Sequence, residues 1–167
     1  MSATASSLRP GEYLHKRRTV AGLSVAEAAR DLAMVPSAVP INGLLDKLED
    51  RLRRAESDEE PLSLHQAALL RNVYPFDVDV YDRLLDRHMA DEVTRRSLPE
   101  PQLCRSCACS FFDPCEVTTT ADGGTFVAVC GWAEADLCST CADRPKVTSS
   151  EPAAIPVIPI LNPQGAC

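Results

Sequence analysis

The sequence predicts a mainly α-helical fold in which a helical domain precedes a small cysteine-rich module with a β-hairpin. Apolar residues recur at intervals of three and four between positions 10 and 90, as on one face of a helix. Seven of the eight cysteines lie between Cys104 and Cys141, and within that stretch β-branched residues flank a Gly-containing turn. We therefore predict an unstructured N-terminus at 1–8, the helical domain at 9–96, a linker at 97–102, the cysteine-rich module at 103–142 and a flexible proline-rich tail at 143–167.

Charge and hydropathy narrow the class of protein. Residues 1–55 carry nine Lys and Arg against six acidic residues, a net charge of +3. Because the whole chain carries −7, residues 56–167 carry −10. A basic N-terminal part joined to an acidic remainder suits a DNA-binding protein with a separate surface for a partner. The chain opens without a signal peptide, and it contains no apolar run near the ~20 residues of a membrane span. We expect a cytoplasmic protein, in which clustered thiols bind metal more often than they form disulfides.

The helices begin and end at recognisable residues. The first is predicted from Pro10 to Val20, and Gly22 closes it because glycine tolerates the positive φ of a helix C-terminus. Ser24 with Glu27 forms a capping box at the start of the second helix. Ser63 with Gln66 repeats that signal further along the chain, and Asp79 is the candidate N-cap of the helix after it.

The stretch G-E-Y-L-H-K-R-R-T-V-A-G-L-S-V-A-E-A-A-R-D-L at 11–32 resembles the first two helices of the lambda-repressor/Cro-type (XRE-type) helix-turn-helix family. The resemblance implies a five-helix domain that acts as a dimer on paired half-sites of double-stranded DNA. We expect phosphate contacts from Arg17, Arg18 and Arg30, and the candidates to reach bases are Lys47, Arg51 and Arg54.

The third helix departs from the pattern of that family. Pro36, Pro40 and Gly43 interrupt the segment after the second helix, so we predict a longer turn and a helix from about 40 or 42 to 54. Asp46 and Asp50 on its exposed face would meet phosphates unfavourably. The alternative is a helical bundle that no longer reads DNA.

Two C-x-x-C sequences bracket the cysteine-rich stretch. Each places two thiolates close enough to bind one ion, and two together complete the tetrahedron of a structural zinc site. The predicted zinc ligands are Cys104, Cys107, Cys138 and Cys141.

Three further cysteines leave two arrangements open. Cys109, Cys115 and Cys130 hold a second ion, with a fourth ligand from Asp113, a solvent molecule or another group, or they pack as reduced thiols around one zinc. An iron–sulfur cluster is less favoured, because C-x-x-C-x-C lacks ferredoxin spacing. Trp132 is expected to pack over the metal-bound loops.

The stretch C-R-S-C-A-C, followed by C-G-W-A-E-A-D-L-C-S-T-C, resembles a cysteine-rich motif of small bacteriophage and prophage proteins that begins C-R-V-C-G-C. This chain departs by an insertion at 116–129, which we predict to be a β-hairpin with its turn at Asp122-Gly123-Gly124. The resemblance implies a phage or mobile-element setting, but it does not indicate any particular activity.

Two functions follow from these patterns. The first is a DNA-binding transcriptional regulator of phage or prophage type, with a structural zinc module that also contacts a protein partner. The alternative is a protein-interaction adaptor or antitoxin-like binder, which uses the acidic zinc module and the tail while the helical domain serves as a scaffold. No Ser/His/Asp arrangement or phosphate-binding Gly-rich loop stands out, so we do not expect an enzyme.

Overall fold

The computed structural model describes residues 8–36, 45–121 and 124–144. About half of the described residues are helical, in seven helices, and two small antiparallel hairpins accompany them. The fold is therefore mixed rather than purely helical. The predicted N-terminus at 1–7, the start of the third helix at 40–44, the hairpin turn at 122–123 and the tail from 145 lie outside the described residues.

The helical half contains six helices among the described residues, one more than predicted. They are α1 Pro10–Val20, α2 Val25–Ala33, α3 Leu45–Glu56, α4 Leu64–Leu70, α5 Val78–Met89 and α6 Glu92–Ser97. None of the described helices is long and apolar enough to cross a bilayer.

Local capping signals explain most of the helix boundaries. Both predicted capping boxes are present, at Ser24–Glu27 and Ser63–Gln66, and Gly22 ends α1 with a φ of 74°. The N-cap of α5 was wrongly predicted, because Asp77 rather than Asp79 accepts hydrogen bonds at that terminus. Asp77 directly follows the buried Phe76, so core packing sets where the helix starts.

One apolar core links the helices to the cysteine-rich module. Tyr13, Tyr74, Phe76 and Tyr81 are its largest side chains, and all four are buried. Ala108 of the cysteine-rich module belongs to the same core. The module is thus packed against the helical half, which supports the loop that carries the first cysteines.

The strands belong to the cysteine-rich module. β1 Glu116–Ala121 pairs antiparallel with β2 Gly124–Val129, which confirms the predicted hairpin. A second hairpin, which the sequence did not predict, joins β3 Trp132–Glu134 to β4 Leu137–Cys138 and leads directly into α7 Ser139–Ala142.

Candidate metal centre

The first C-x-x-C turn is shaped by two backbone hydrogen bonds. The N–H of Ala108 donates to the carbonyl of Cys104 at 2.8 Å, and the N–H of Cys104 donates to the carbonyl of Cys109 at 3.0 Å. Ala108 has a φ of 58°, a left-handed conformation that glycine adopts without strain. The alanine side chain therefore makes this turn at a conformational cost.

The second C-x-x-C begins where β4 ends. Cys138 is the N-cap residue of α7, and Cys141 lies within that helix, so both thiols point from one short turn. Ser139 fixes the turn, because its N–H donates to the Gly131 carbonyl at 2.9 Å and its hydroxyl accepts from the Gly131 N–H at 3.1 Å.

Polar contacts of Arg105 connect the first C-x-x-C turn to the β3–β4 hairpin, which leads into the second C-x-x-C turn. The N–H of Arg105 donates to the Asp136 carbonyl at 2.7 Å, and its guanidinium pairs with Glu134 at 2.9 Å and with the Asp136 carboxylate. These contacts raise the pKa of the Arg105 guanidinium, first through the hydrogen bond to Glu134.

The remaining pair of cysteines lies at the base of the β1–β2 hairpin. The N–H of Cys130 donates to the carbonyl of Cys115 at 2.9 Å, and the N–H of Cys115 donates to the Cys130 thiol at 3.1 Å. The inserted hairpin therefore does not separate Cys115 from Cys130, because Cys115 directly precedes β1 and Cys130 directly follows β2.

All seven cysteines from 104 to 141 form one cluster without a disulfide. The Sγ atom of Cys107 lies 3.4 Å from that of Cys115 and 3.7 Å from that of Cys138, while Cys109 and Cys130 are 3.7 Å apart. Two sets of four have sulfurs that all lie within 4.8 Å of one another. They are Cys104, Cys107, Cys109, Cys138 and Cys109, Cys115, Cys130, Cys138.

The structure brings together three of the four predicted first-site ligands, and the fourth, Cys141, packs against the same cluster. The second trio also converges. The carboxylate of Asp113, one of the predicted candidates for a fourth ligand, lies 2.6 Å from the guanidinium of Arg17, and Cys138 lies close to all three thiols of the trio. Trp132 packs against the cluster as predicted.

The thiols of the cluster lie close enough to shift one another's pKa values. Hydrogen bonding with Cys107, and then with Cys109, lowers the pKa of Cys115 to about 3, whereas contact with Cys107 and Cys115 raises the pKa of Cys109. Burial raises the pKa of Cys141 to about 11 and also raises that of Cys138. Crowded thiols of this kind cannot all ionise alone, and a cation among them would offset the repulsion between thiolates.

Two of the six predicted DNA contacts are buried. Arg17 is only 3% exposed; it forms an ion pair with Asp113 and donates from Nε to the Pro75 carbonyl at 3.1 Å. Arg18 is 7% exposed and forms a bidentate pair with Glu56 at 2.6 and 2.7 Å, which raises the pKa of its guanidinium. Phosphate contact by these two side chains, as predicted, does not fit their burial.

The other four predicted DNA contacts lie at the surface, and they differ in whether neighbouring residues of the chain bind their side chains. Arg51 donates to the carbonyls of Glu60 and Pro61, and Arg54 pairs with the Glu60 carboxylate at 3.1 Å. Arg30 and Lys47 are exposed and make no ion pair within the described residues.

Searches of protein-family models, curated proteins and solved structures find no match for this chain. The function must therefore be inferred from its residues and their geometry.

Proposed function

We propose that the protein is a protein-interaction adaptor in which a metal-stapled module presents an apolar surface on a helical scaffold. The observation that carries the proposal is the exposure of large apolar side chains on that module. Phe111 and Phe112 are 76% and 81% exposed, and Val127 and Val129 of β2 are 61% and 63% exposed. We call these four residues the apolar surface.

Parts of the apolar surface lie next to one another. The rings of Phe111 and Phe112 meet edge to face with centroids 5.3 Å apart. Phe111 and Val129 line the same shallow cavity beside Trp132, so the aromatic pair and the hairpin border one depression. Exposed apolar groups clustered in this way typically mark a binding surface for a protein.

Charge supports a protein partner over DNA. Arg17 and Arg18 are bound within the chain, and Arg51 and Arg54 are held by the loop that follows α3. The chain as a whole carries −7, which is the sum of −10 from residue 56 onward and +3 from residues 1–55. A partner with an apolar groove and a basic rim complements this surface.

A photocrosslinking amino acid at position 112 tests the proposal in cells that naturally produce the protein. Position 93 is the matched control, because Val93 is 82% exposed on the helical half, outside the apolar surface. We expect a discrete crosslinked protein from position 112 that is absent from position 93. The same adduct should weaken when Phe111→Ser is added. Equal crosslinking from both positions contradicts the proposal.

A DNA-binding transcriptional regulator of phage type is the second candidate. The observation in its favour is that Arg30 on α2 and Lys47 on α3 are exposed without an ion-pair partner in the described part of the chain, on two helices that pack against each other. In this function a homodimer would place the two helix pairs on successive half-sites.

Salt dependence distinguishes the two candidates. Binding of the full chain to a mixed-sequence duplex is measured by fluorescence anisotropy from low to physiological salt. A steep fall of affinity with salt, reduced in the Arg30→Ala/Lys47→Ala variant, supports the regulator. Absence of binding at low salt supports the adaptor.

A further inference from the structure

We infer that the seven clustered cysteines hold two metal ions that share the thiolate of Cys138. This inference concerns the metal centre and does not depend on which macromolecule the protein binds. In the proposed arrangement one ion is held by Cys104, Cys107, Cys138 and Cys141. The other ion is held by Cys109, Cys115, Cys130 and Cys138.

The sulfur separations fit tetrahedral thiolate coordination. Zinc–sulfur bonds of about 2.3 Å in a tetrahedron place neighbouring sulfurs about 3.8 Å apart. Within the two proposed sites, Cys107–Cys138 and Cys109–Cys130 are each 3.7 Å apart, and Cys107 and Cys115, which belong to different sites, lie 3.4 Å apart. The thiols thus already stand at the spacing that such an ion requires.

Cys138 is the natural shared ligand, because it belongs to both sets of four mutually close sulfurs. It comes from the end of β4, is only 1% exposed, and contacts Cys107 on one side. On the other side it supplies the fourth ligand that Cys109, Cys115 and Cys130 otherwise lack. The nearby carboxylate of Asp113 is already paired with Arg17.

Counting ligand positions gives the same answer. Two tetrahedral ions need eight positions, and seven thiolates supply eight only when one is shared. Cys109 also belongs to both close sets, so sharing Cys109 and Cys138 together would satisfy two ions with six thiolates. That arrangement would leave the thiol of Cys141, which packs against the same cluster, without an ion. The contacts of Cys141 therefore favour a single shared thiolate.

Backbone donors favour a thiolate cluster at this place. The N–H of Cys138 donates to the sulfur of Cys104 at 3.4 Å, and the N–H of Cys115 donates to the sulfur of Cys130 at 3.1 Å. Each bond stabilises negative charge on a terminal sulfur. Seven thiolates with two divalent cations leave a net negative centre, which these donors and the adjacent Arg17 guanidinium partly offset.

The experiment uses the full chain, purified in reductant and loaded with ¹¹³Cd or zinc. Native mass spectrometry is expected to show two zinc ions per chain. One-dimensional ¹¹³Cd NMR is expected to show two resonances in the range of sulfur-only coordination. Each should be split by the other, because two cadmium ions couple through bonds only when they share a ligand. One ion per chain, iron in place of zinc, or two unsplit resonances would overturn the proposal.

Cysteine variants separate the roles within the cluster. Cys138→Ser is expected to abolish the mutual splitting and to lower the stoichiometry below two. Cys141→Ser should weaken one ion at least about tenfold, since loss of even an outer partner of a ligand costs 10–100-fold. Cys167→Ser, outside the 104–141 stretch, is the control and should retain two coupled ions. Unchanged affinity for both ions in Cys141→Ser would overturn the seven-thiolate arrangement. The splitting in the unsubstituted chain tests the shared ligand even when a variant misfolds.

Discussion

The guanidinium of Arg17 on α1 and the carboxylate of Asp113 in the cysteine-rich module lie 2.6 Å apart and form an ion pair between the two halves of the protein. The atoms are not aligned as a hydrogen bond, so the attraction is chiefly electrostatic. Burial raises the pKa of the Asp113 carboxyl, and the neighbouring charge of Arg17 offsets part of that rise. Loss of either partner would therefore leave the charge of the other partly buried and unpaired.

Replacement of Arg17 by methionine should destabilise the protein by about 3 kcal/mol, because it leaves the Asp113 carboxylate partly buried without its cation. The free energy of unfolding is measured by urea titration. In the double variant Arg17→Met/Asp113→Leu, much of the loss should be recovered, since neither charge remains.

Arg96→Met is the control for that experiment. Arg96 pairs with Glu92 on α6, but both side chains are about three-quarters exposed, at 77% and 76%. Exposed pairs contribute little, so we expect a change below about 0.5 kcal/mol. If Arg17→Met costs no more than Arg96→Met, the contact between the halves is not a buried ion pair.

Gly11 is a point of close approach between α1 and the end of α3. A Cβ at position 11 would lie 2.5 Å from the Ala55 carbonyl oxygen and 2.7 Å from that of Glu56, both backbone atoms. Gly11→Ala should therefore cost about 2 kcal/mol through overpacking, measured as a lower urea midpoint. Gly131→Ala, where nothing lies within 4 Å of the added methyl, should leave the midpoint nearly unchanged. Equal effects would contradict the packing of α1 against α3.

The chain's three tyrosines should ionise at a higher pH in the folded protein than in the unfolded chain. Burial raises the pKa of Tyr81 to about 12 and raises the pKa of Tyr13 and Tyr74 further above the usual value. A folded-state pKa above the unfolded one means that the folded protein holds its protons longer. The corresponding stability is full below the unfolded pKa of about 10, and it is lost as the pH rises through the folded pKa.

Absorbance near 295 nm, recorded together with circular dichroism during alkaline titration, checks this order. We expect almost no tyrosinate at pH 10.5 in the folded protein and about three-quarters ionisation in urea at the same pH, given an unfolded pKa of about 10. A tyrosine that titrates near 10 while the helices remain intact would show that its hydroxyl is in water.

Removal of metal should unfold the cysteine-rich module before the helical half. Structural zinc supplies on the order of 10 kcal/mol of folding energy to segments with small cores. Hydrogen exchange measured by mass spectrometry after chelation in reductant should rise sharply in peptides from 103–142. Peptides from α5 should be affected less, because Tyr81 and Leu84 are buried in the helical core. Metal-free, reduced protein with unchanged protection at 103–142 would argue against a metal-dependent module.

Features governed by neighbours along the chain could be predicted from the sequence. Both capping boxes, the end of α1 at Gly22 and the β1–β2 hairpin are present as expected. Each depends on residues a few positions apart, whose side chains can reach only one another or the nearby backbone. The short β3–β4 hairpin was missed because its strands have three and two residues and carry little periodicity.

The sequence alone determined that seven cysteines share one short stretch, that two C-x-x-C turns bracket it and that helices precede it. Only the tertiary structure decided which thiols meet, that Cys138 lies between two sets, and that Arg17 faces Asp113 rather than solvent. The physical reason is that sulfur proximity and side-chain burial arise where distant segments pack together. The spacing of residues along the chain limits which of these contacts can form, but it does not determine which ones do form.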